Sequence, residues 1–561
     1  MTIQTRRDFL TKSAIFAGLS SSVVTAEPGK QEVISESAIS HAEKLAGVSF
    51  TEEERAQIAQ TIDEQQEIFK NRIEQGFIKN GLQPATVFNP LLPEATPKFT
   101  LKFNEGLSLP PAGPCPTAND VELAFAPVWK LCQWLKKREI TSERLTRLAI
   151  KRLKSFNNEL DCVITFMNNY ALGQARKADK ELDQGNWKGP LHGIPWGAKD
   201  IIDTAGTKTT WGAEVYKKRV PVKNAVIVER LNKAGAVLTA KLAVGALAYG
   251  DIWYGGTCKN PFDITEGSSG SSAGSASATA AGLLPFTLGS ETYGSIISPC
   301  MRCGSTGLRP TFGRVPRTGV MALCWSLDKI GPICRSVFDT AIVLQFINGA
   351  DSGDCSSVTK PLSLPSRQSI KGIRIGYDPS IMEGPTKNAD YAALYAARDA
   401  GAILVESSIP KINHDLLLVP ILAESAAAFE ELTRSNQDDI LSWQDDDAWP
   451  NTFRKSWFIP AIEHIQANRV RREVMEKMHS WMNNEFDVFL SPAFSNLLLI
   501  TNNTGHPALI LRSAMNKGKP MGTVFKYNHR SNRYHGNSGR IKVRKRLAPS
   551  GLHSFPLKSI A

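Results

Sequence analysis

The sequence predicts an α/β protein with a mixed β-sheet, and the alternation of segments between residues 191 and 350 is the main reason. Short runs of strand-forming residues, at 236–240 and 283–288, alternate there with glycine-rich turns. A helical stretch at 224–234 precedes the first of these runs. Alternating helices and strands are typical of α/β domains. The chain of 561 residues, with 42% hydrophobic and 21% charged residues, is long and apolar enough for a large core.

The net charge of +12 is concentrated at one end of the chain. Residues 501–561 contain twelve Lys or Arg and no Asp or Glu, so the rest of the sequence is balanced. After about Lys517 neither helical nor strand periodicity is evident. We interpret residues 512–561 as an atypical basic tail, either disordered or produced by a changed reading frame. A basic tail can contact nucleic acid or anionic lipid. We nevertheless expect no nucleic-acid partner, because the excess of basic residues lies in this tail and not in the globular part.

The flanking segments predict helices and an extended connector. Residues 36–79 have a helical pattern, and Thr51 with Glu54 has capping-box spacing. The many prolines between 81 and 119 indicate an extended arm. Residues 120–182 and 411–485 again favour helix. We therefore divide the chain into an N-terminal segment at 27–119, a main domain at 120–511 and the tail.

The first 26 residues are typical of an export signal. Arg6 and Arg7 stand in an RRxFL pattern, a mildly apolar stretch follows at 14–24, and a small-residue cleavage site ends at Ala26. This resembles a bacterial twin-arginine signal and predicts a periplasmic or secreted protein. No apolar run reaches the ~18 residues that a membrane span needs. The lone CxxC of Cys300 and Cys303 has no second pair, so we expect no zinc site there.

Two glycine- and hydroxyl-rich loops are the candidate active site. SSGSSAGSASA occupies 268–278, and GSETYGS follows at 289–295, with a helix-compatible and a strand-like segment between them. Two such loops around a helix and a strand predict one wall of an active site. Upstream, Lys199 ends the Gly- and Pro-rich run GPLHGIPWGAK. Burial among apolar residues lowers the pKa of a lysine, which allows it to act as a base.

Several ordered blocks resemble the amidase signature family of serine hydrolases from roughly Lys136 to Asp351, and weakly to about Leu511. The blocks are SGSSAGSASA at 269–278, GSETYGSIISP at 289–299, GPLHGIP with KD at 189–200, GLRPTFGRV at 307–315, SLD at 326–328 and GP at 331–332. The resemblance implies a mixed sheet covered by helices on both faces, with a helical and extended N-terminal arm.

The resemblance also implies a Ser–cis-Ser–Lys triad. By motif position, Ser295 is the nucleophile, Ser271 is the relay serine after a cis peptide bond, and Lys199 is the general base and acid. An oxyanion hole would be formed by backbone N–H groups of the loop before and at the nucleophile, namely those of Thr292, Tyr293, Gly294 and Ser295. A hydroxyl that both donates and accepts can pass a proton in either direction.

The implied function is hydrolysis of a carboxamide C–N bond through a seryl acyl-enzyme, with no metal or cofactor and with a small-molecule or peptide amide as substrate. One alternative is a cytoplasmic glutamine amidotransferase A-subunit-like protein that supplies ammonia for tRNA-linked amidation. Another alternative is a catalytically impaired family member that acts as a binding protein. The sequence leaves the oligomeric state open.

Three departures from the family pattern predict local changes. Tyr293 replaces a glycine, which predicts an altered oxyanion loop or acyl pocket. Ile297 and Glu291 replace an Arg and an Asp, which predicts the loss of a supporting charge pair. After TNNTGHPA at 501–508 the family's strand and last helix are not recognisable, which predicts a sheet that lacks an edge.

Overall fold

The computed structural model describes residues 34–75, 86, 109–359, 362, 369–412 and 414–527. No helix in these ranges is long and apolar enough to cross a membrane. The α-helices, numbered α1 to α16 in chain order, are Glu36–Ala46, Glu52–Glu74, Asp120–Phe125, Val128–Lys136, Ser142–Leu160, Asn168–Asp183, Val226–Lys233, Ala273–Ala280, Ile297–Cys303, Val337–Ile347, Lys387–Asp399, Val419–Ala428, Glu430–Arg434, Trp449–Ser456, Ala461–Asn484 and Asn496–Asn503.

A large mixed sheet organises the protein. The strands, β1 to β15, are Val163–Phe166, Pro195–Lys199, Val237–Leu242, Ile252–Trp253, Gly256–Thr257, Lys259–Asn260, Asp263–Gly267, Phe286–Glu291, Thr306–Arg309, Lys329–Cys334, Arg374–Tyr377, Ile403–Glu406, Val488–Pro492, Ala508–Asn516 and Lys519–Tyr527. Eleven of them form one sheet in the order β1-β3-β2-β8-β10-β9-β14-β15-β13-β11-β12. β2 is parallel to β3 and β8, and β11 is parallel to β12 and β13, whereas the other pairs are antiparallel. The predicted α/β class with a mixed sheet is confirmed.

The central strands are buried along their whole length. Every residue of β2, β3, β8 and β10 is buried. Strands covered on both faces favour continuous apolar sequences. Lysines in β2, β3 and β10 depart from that preference, since Lys199, Lys241 and Lys329 are all at most 2% exposed. Such residues need polar partners inside the protein.

The N-terminal helices pack on the helical part of the main domain. The predicted capping box is present, because the Thr51 hydroxyl accepts from Glu54 N and the Glu54 carboxylate accepts from Thr51 N. Further along α2, the buried Gln65 side chain donates to Lys455 O. Two predicted segments lie outside the described residues, namely the export signal at 1–26 and most of the connector at 81–119.

The sheet continues beyond residue 511, where the sequence analysis ends the main domain. β14 and β15 form an antiparallel hairpin in which Asn516 pairs with Lys519. The two turn residues, Lys517 and Gly518, have φ of 48° and 81°, as type I′ hairpin turns require. β15 lies between β14 and β13, so the expectation of a sheet that lacks an edge is wrong for this region. The sequence did not predict β15 because five consecutive residues of this strand, 522–526, are buried. The alternation of buried and exposed residues that indicates a strand covered on one face is therefore absent there.

Candidate active site

Parallel strands bring the two predicted loops to one edge of the sheet. β2 pairs with β8 through Trp196 with Phe286 and Ala198 with Leu288. Since the carboxyl ends of parallel strands meet at the same edge, Lys199 at the end of β2 lies beside the loop that leaves β8. The serine-rich loop before α8 reaches the same place.

Three serine hydroxyls surround the amine of Lys199. Lys199 Nζ lies 2.8 Å from Ser271 Oγ, 3.2 Å from Ser272 Oγ and 2.8 Å from Ser290 Oγ. The side chain is 0% exposed. Burial lowers the pKa of Lys199 to about 7, against the opposing effect of the nearby carboxylates. A substantial fraction of this lysine is therefore neutral near pH 7, as a general base requires.

Ser271 follows a cis peptide bond, which is the geometry that the resemblance implies. The bond joins it to Gly270, whose backbone lies against a neighbouring loop. A Cβ atom at Gly270 would lie 1.8 Å from Gly250 O, so the loop can take this path only with glycine at that position. The tight backbone approach fixes where the Ser271 hydroxyl meets Lys199.

Ser295 lies next to this network but is not hydrogen-bonded to Ser271 through its side chain. The Ser295 carbonyl accepts from Ser272 N at 3.1 Å, and the residue is 8% exposed. Among the described residues no hydrogen bond joins Ser295 Oγ to Ser271 Oγ. Catalytic hydrogen bonds are commonly longer in the absence of substrate. The structure thus joins Lys199 to Ser271 directly and places Ser295 beside them through its backbone.

The loop from Thr292 to Ser295 offers free backbone donors. Within the described part of the chain, no protein group accepts a hydrogen bond from the amides of Thr292, Tyr293, Gly294 and Ser295. The positive φ in this loop is at Gly294, with 86°, and Tyr293 has no positive φ. Tyr293 therefore fits the loop without backbone strain, and its side chain is 43% exposed.

The supporting charge pair that the sequence analysis expects to be lost is present with another partner. Glu291 Oε1 lies 2.6 Å from Arg309 Nη1, and both side chains are 0% exposed. Glu291 Oε2 accepts from the amides of Ile296 and Ile297, both at 2.9 Å. Although burial alone would raise the pKa of Glu291, Arg309 and these donors hold it below its ordinary value. Arg309 is the last residue of β9 and follows Glu291 by 18 residues, so the sequence alone did not indicate that the two side chains pair.

Ser272 and Ser290 are site residues that the sequence analysis did not single out. Ser272 Oγ donates to Ser290 O at 3.0 Å and accepts from Ser290 N at 3.1 Å, so it ties the two loops together. Both serines stand inside the two blocks at 269–278 and 289–299. The many hydroxyl residues of these two blocks were the available signal in the sequence. The pairing of the strands decides which of those hydroxyls contact Lys199.

One group of three carboxylates among the described residues has the spacing of metal ligands. Glu54, Asp438 and Asp439 come within reach of one another. Arg454 Nη2 lies 2.6, 2.8 and 2.5 Å from their oxygens. The guanidinium is thus paired with all three carboxylates, and the cluster lies in the helical region and contains none of the predicted catalytic residues.

A cavity of about 260 Å³ opens beside the candidate oxyanion loop. Ser290 and Thr292 form part of its wall, together with Asp328. Asp328 Oδ1 accepts from Thr292 Oγ1 at 2.5 Å, and Asp328 Oδ2 accepts from the amides of Leu323 and Cys324. A group bound in this cavity would lie close to the hydroxyls around Lys199, because Ser290 supplies one of these hydroxyls and also lines the cavity.

The family model described as Amidase matches residues 144–515. The chain belongs to the Amidase family. The predicted family is thereby confirmed. The match includes Lys199, Ser271 and Ser295, and it extends into β14.

Curated relatives of the chain include A subunits of glutamyl-tRNA(Gln) amidotransferases. The chain is 36% identical over 325 residues to the one from Thermoanaerobacter pseudethanolicus, covering 56% of this chain and 66% of that protein. It is 33% identical over 404 residues to the one from Caldanaerobacter subterraneus, covering 68% of this chain and 79% of that protein. The matched part thus spans slightly less than two thirds of the first relative.

Solved structures with the same fold include two amide hydrolases by name. The native peptide amidase of Stenotrophomonas maltophilia aligns with a TM-score of 0.66 and 25% identity, covering 75% of this chain and 97% of that one. A bacterial aryl acylamidase of the amidase signature family aligns with a TM-score of 0.66 and 18% identity, covering 74% and 96%. The second likeness concerns the fold alone.

Proposed function

We propose that the protein hydrolyses a carboxamide C–N bond through an acyl-enzyme on Ser295. The observation that supports this most is the buried amine of Lys199, with its pKa near 7, at 2.8 Å from Ser271 Oγ. A serine hydroxyl is a weak nucleophile until a base accepts its proton. Ser271 is the hydroxyl through which that proton would pass.

The reaction would proceed in two halves. Ser295 Oγ attacks the amide carbonyl carbon while its proton passes through the Ser271 hydroxyl to neutral Lys199. The C–N bond then breaks, and the departing nitrogen takes a proton back by the same route and leaves as ammonia or an amine. Water attacks the resulting ester with the same proton transfer, and the carboxylate product leaves Ser295 regenerated.

The free amides of Thr292, Tyr293, Gly294 and Ser295 would stabilise the negative oxygen that forms during each attack. One such donor typically contributes ~3 kcal/mol to the transition state. Tyr293 supplies its amide as a glycine would, because the positive φ is taken by Gly294. The hydrogen bonds that the Ile296 and Ile297 amides donate to the Glu291 carboxylate would hold the end of the loop in place.

A serine-reactive fluorophosphonate with a small uncharged ester group tests this proposal. Intact mass should show one adduct on the folded wild type, none on Ser295→Ala, and slower formation on Lys199→Ala. Ser491→Ala is the control for removal of a buried serine hydroxyl elsewhere in the sheet, since Ser491 is buried and, like Ser271, bonded to a lysine. Absence of an adduct on folded wild type would contradict the proposal and favour a binding protein.

A glutamine amidotransferase A-subunit-like role is the second candidate, and the names of the curated relatives favour it. In that role the same residues would release ammonia from glutamine, and partner proteins would pass it to a tRNA-linked acyl group. Co-purification with such partners from the native source, and glutamine hydrolysis that increases in their presence, would support it.

We also propose that residues 1–26 direct export by the twin-arginine route, which fits the hydrolase better than the tRNA-linked role. The support is the Arg6–Arg7 pair with its apolar stretch and small-residue site. In a bacterial host, wild type should reach the periplasm and lose these residues. The double variant Arg6→Lys, Arg7→Lys should stay in the cytoplasm at full length, and equal distribution of the two proteins would contradict export.

A further inference from the structure

The cavity beside the candidate oxyanion loop is positioned to receive the acyl part of a substrate. Ser290 and Thr292 line it, and Ser290 Oγ is one of the three hydroxyls around Lys199 Nζ. Thr292 also supplies one of the free amides. A substrate whose carbonyl oxygen reaches those amides would therefore have its acyl chain in or beside this cavity.

Hydrophobic residues form about half of the cavity wall. Its hydrophobic side chains are Ile201, Ala248, Val320, Met321, Ala322, Leu323 and Ile330. Trp325 also lines the cavity and is 49% exposed, so an indole ring stands where the cavity meets solvent. Such a wall gains free energy by removing apolar surface of a ligand from water.

The arginine in the wall is already paired with a carboxylate, and among the described residues the second carboxylate, Asp328, has no ion-pair partner. Arg317 and Asp354 form a two-point pair, with Nε–Oδ2 and Nη2–Oδ1 distances of 2.9 Å each. Arg317 Nη1 donates to Trp325 O. Asp328 is occupied by Thr292 and two backbone amides. A substrate carboxylate would therefore find no unpaired cation among the cavity's charged residues, and burial of a charge without a partner is unfavourable.

We propose that this cavity selects amides with a small, apolar acyl group that carries no carboxylate, such as an aromatic or branched aliphatic one, and excludes free glutamine, whose acyl part carries a carboxylate. The proposal rests on the proposed amide hydrolysis. The volume of about 260 Å³ is below the range of 300–1,000 Å³ typical of sites for drug-sized ligands. It therefore fits a compact acyl group.

Ammonia release from benzamide, isobutyramide, glutamine and succinamate by the full chain tests the selectivity. We expect kcat/KM for benzamide or isobutyramide to exceed that for glutamine and succinamate at least tenfold. Equal or better use of either charged amide overturns the proposal. The fluorophosphonate adduct is measured on the same sample. Without an adduct, the proposed hydrolysis itself fails; with an adduct but no turnover of any neutral amide, only the cavity assignment fails.

A variant that fills part of the cavity tests whether this cavity is the cause of the substrate selectivity. Ala322→Phe places a ring at a partly exposed wall position, and should raise KM for the preferred amide at least fivefold. Labelling by the small fluorophosphonate should change less than twofold. Ala392→Phe makes the same replacement on the exposed surface of α11 and should leave both unchanged. An unchanged KM in folded Ala322→Phe overturns the assignment of this cavity.

Discussion

Two buried lysines in the same sheet bond to serine hydroxyls, and they have different surroundings. Lys199 lies 2.8 Å from Ser271 Oγ, and Lys526 lies 2.7 Å from Ser491 Oγ. All four residues are at most 1% exposed. Burial lowers the pKa of each lysine to about 7. By burial and pKa alone, the two pairs are equivalent.

The surroundings of the two pairs distinguish them. Lys199 contacts two more hydroxyls, and one of these, from Ser290, borders the cavity. Neither Lys526 nor Ser491 lines that cavity, and the Ser491 hydroxyl donates to Pro492 O within its own strand. A lowered pKa is thus a consequence of burial. To act as a general base, a buried lysine must also be connected through hydroxyl groups to a site where substrate can bind.

The largest expected effect is the loss of the proposed nucleophile, Ser295, which lies beside the first pair. Ser295→Ala should reduce amide hydrolysis by at least ~10³-fold, as removal of a serine nucleophile does in other hydrolases. Ser491→Ala should keep more than a third of wild-type activity. Steady-state kinetics on both folded variants checks this. A similar loss in both would mean that the two pairs do not differ in the way their surroundings indicate.

The next effect concerns the lysines themselves. Lys199→Met should lower kcat by ~10²–10⁴-fold, because a general base typically contributes that factor. Lys526→Met should change kcat less than threefold. Thermal unfolding is measured in parallel, so that a drop in activity from unfolding is recognised. A folded Lys526→Met variant as inactive as Lys199→Met would contradict the comparison.

The pH dependence of hydrolysis should follow Lys199 alone. The protonated amine cannot accept a proton, so kcat/KM should rise with pH through an apparent pKa near 7 and level off above it. Measurement from pH 5.5 to 9 on wild type and Lys526→Met should give the same midpoint. A midpoint that moves in Lys526→Met would show that the second lysine titrates in the reaction.

The smallest effect is on stability, where the second lysine contributes through its protonation. Lys526 has a pKa of about 7 in the fold against an ordinary 10.5. Between these values the unfolded chain binds the additional proton, so the free energy of unfolding rises with pH. Lys526→Met removes the contribution of this lysine to the pH dependence. Its stability advantage over wild type should be largest below pH 7 and shrink by about 1.4 kcal/mol per pH unit above it.

Urea unfolding of both proteins between pH 6.5 and 9.5 measures this difference. A constant difference across the range would mean that Lys526 keeps its proton in the fold. Ser491→Ala would then be unsuitable as a control for the first pair, because its lysine would be charged.

The sequence by itself determined the fold class, the family and the identity of the predicted triad. Alternating periodicities set the α/β class, and the ordered blocks around Lys199, Ser271 and Ser295 carried the family resemblance. These features are local, since each depends on residues close together in the chain. The structure joins Lys199 to Ser271, whereas the catalytic roles stay predictions that the variants above test.

Only the tertiary structure decided which distant residues complete the site. Arg309 reaches Glu291 from another strand, and Ser272 with Ser290 closes the ring of hydroxyls around Lys199. β15 enters the sheet between strands β14 and β13 rather than forming a tail. Each of these depends on strand pairing across long sequence separations. Local patterns carry no information on that pairing, because backbone hydrogen bonds form with whichever strand the whole fold brings alongside.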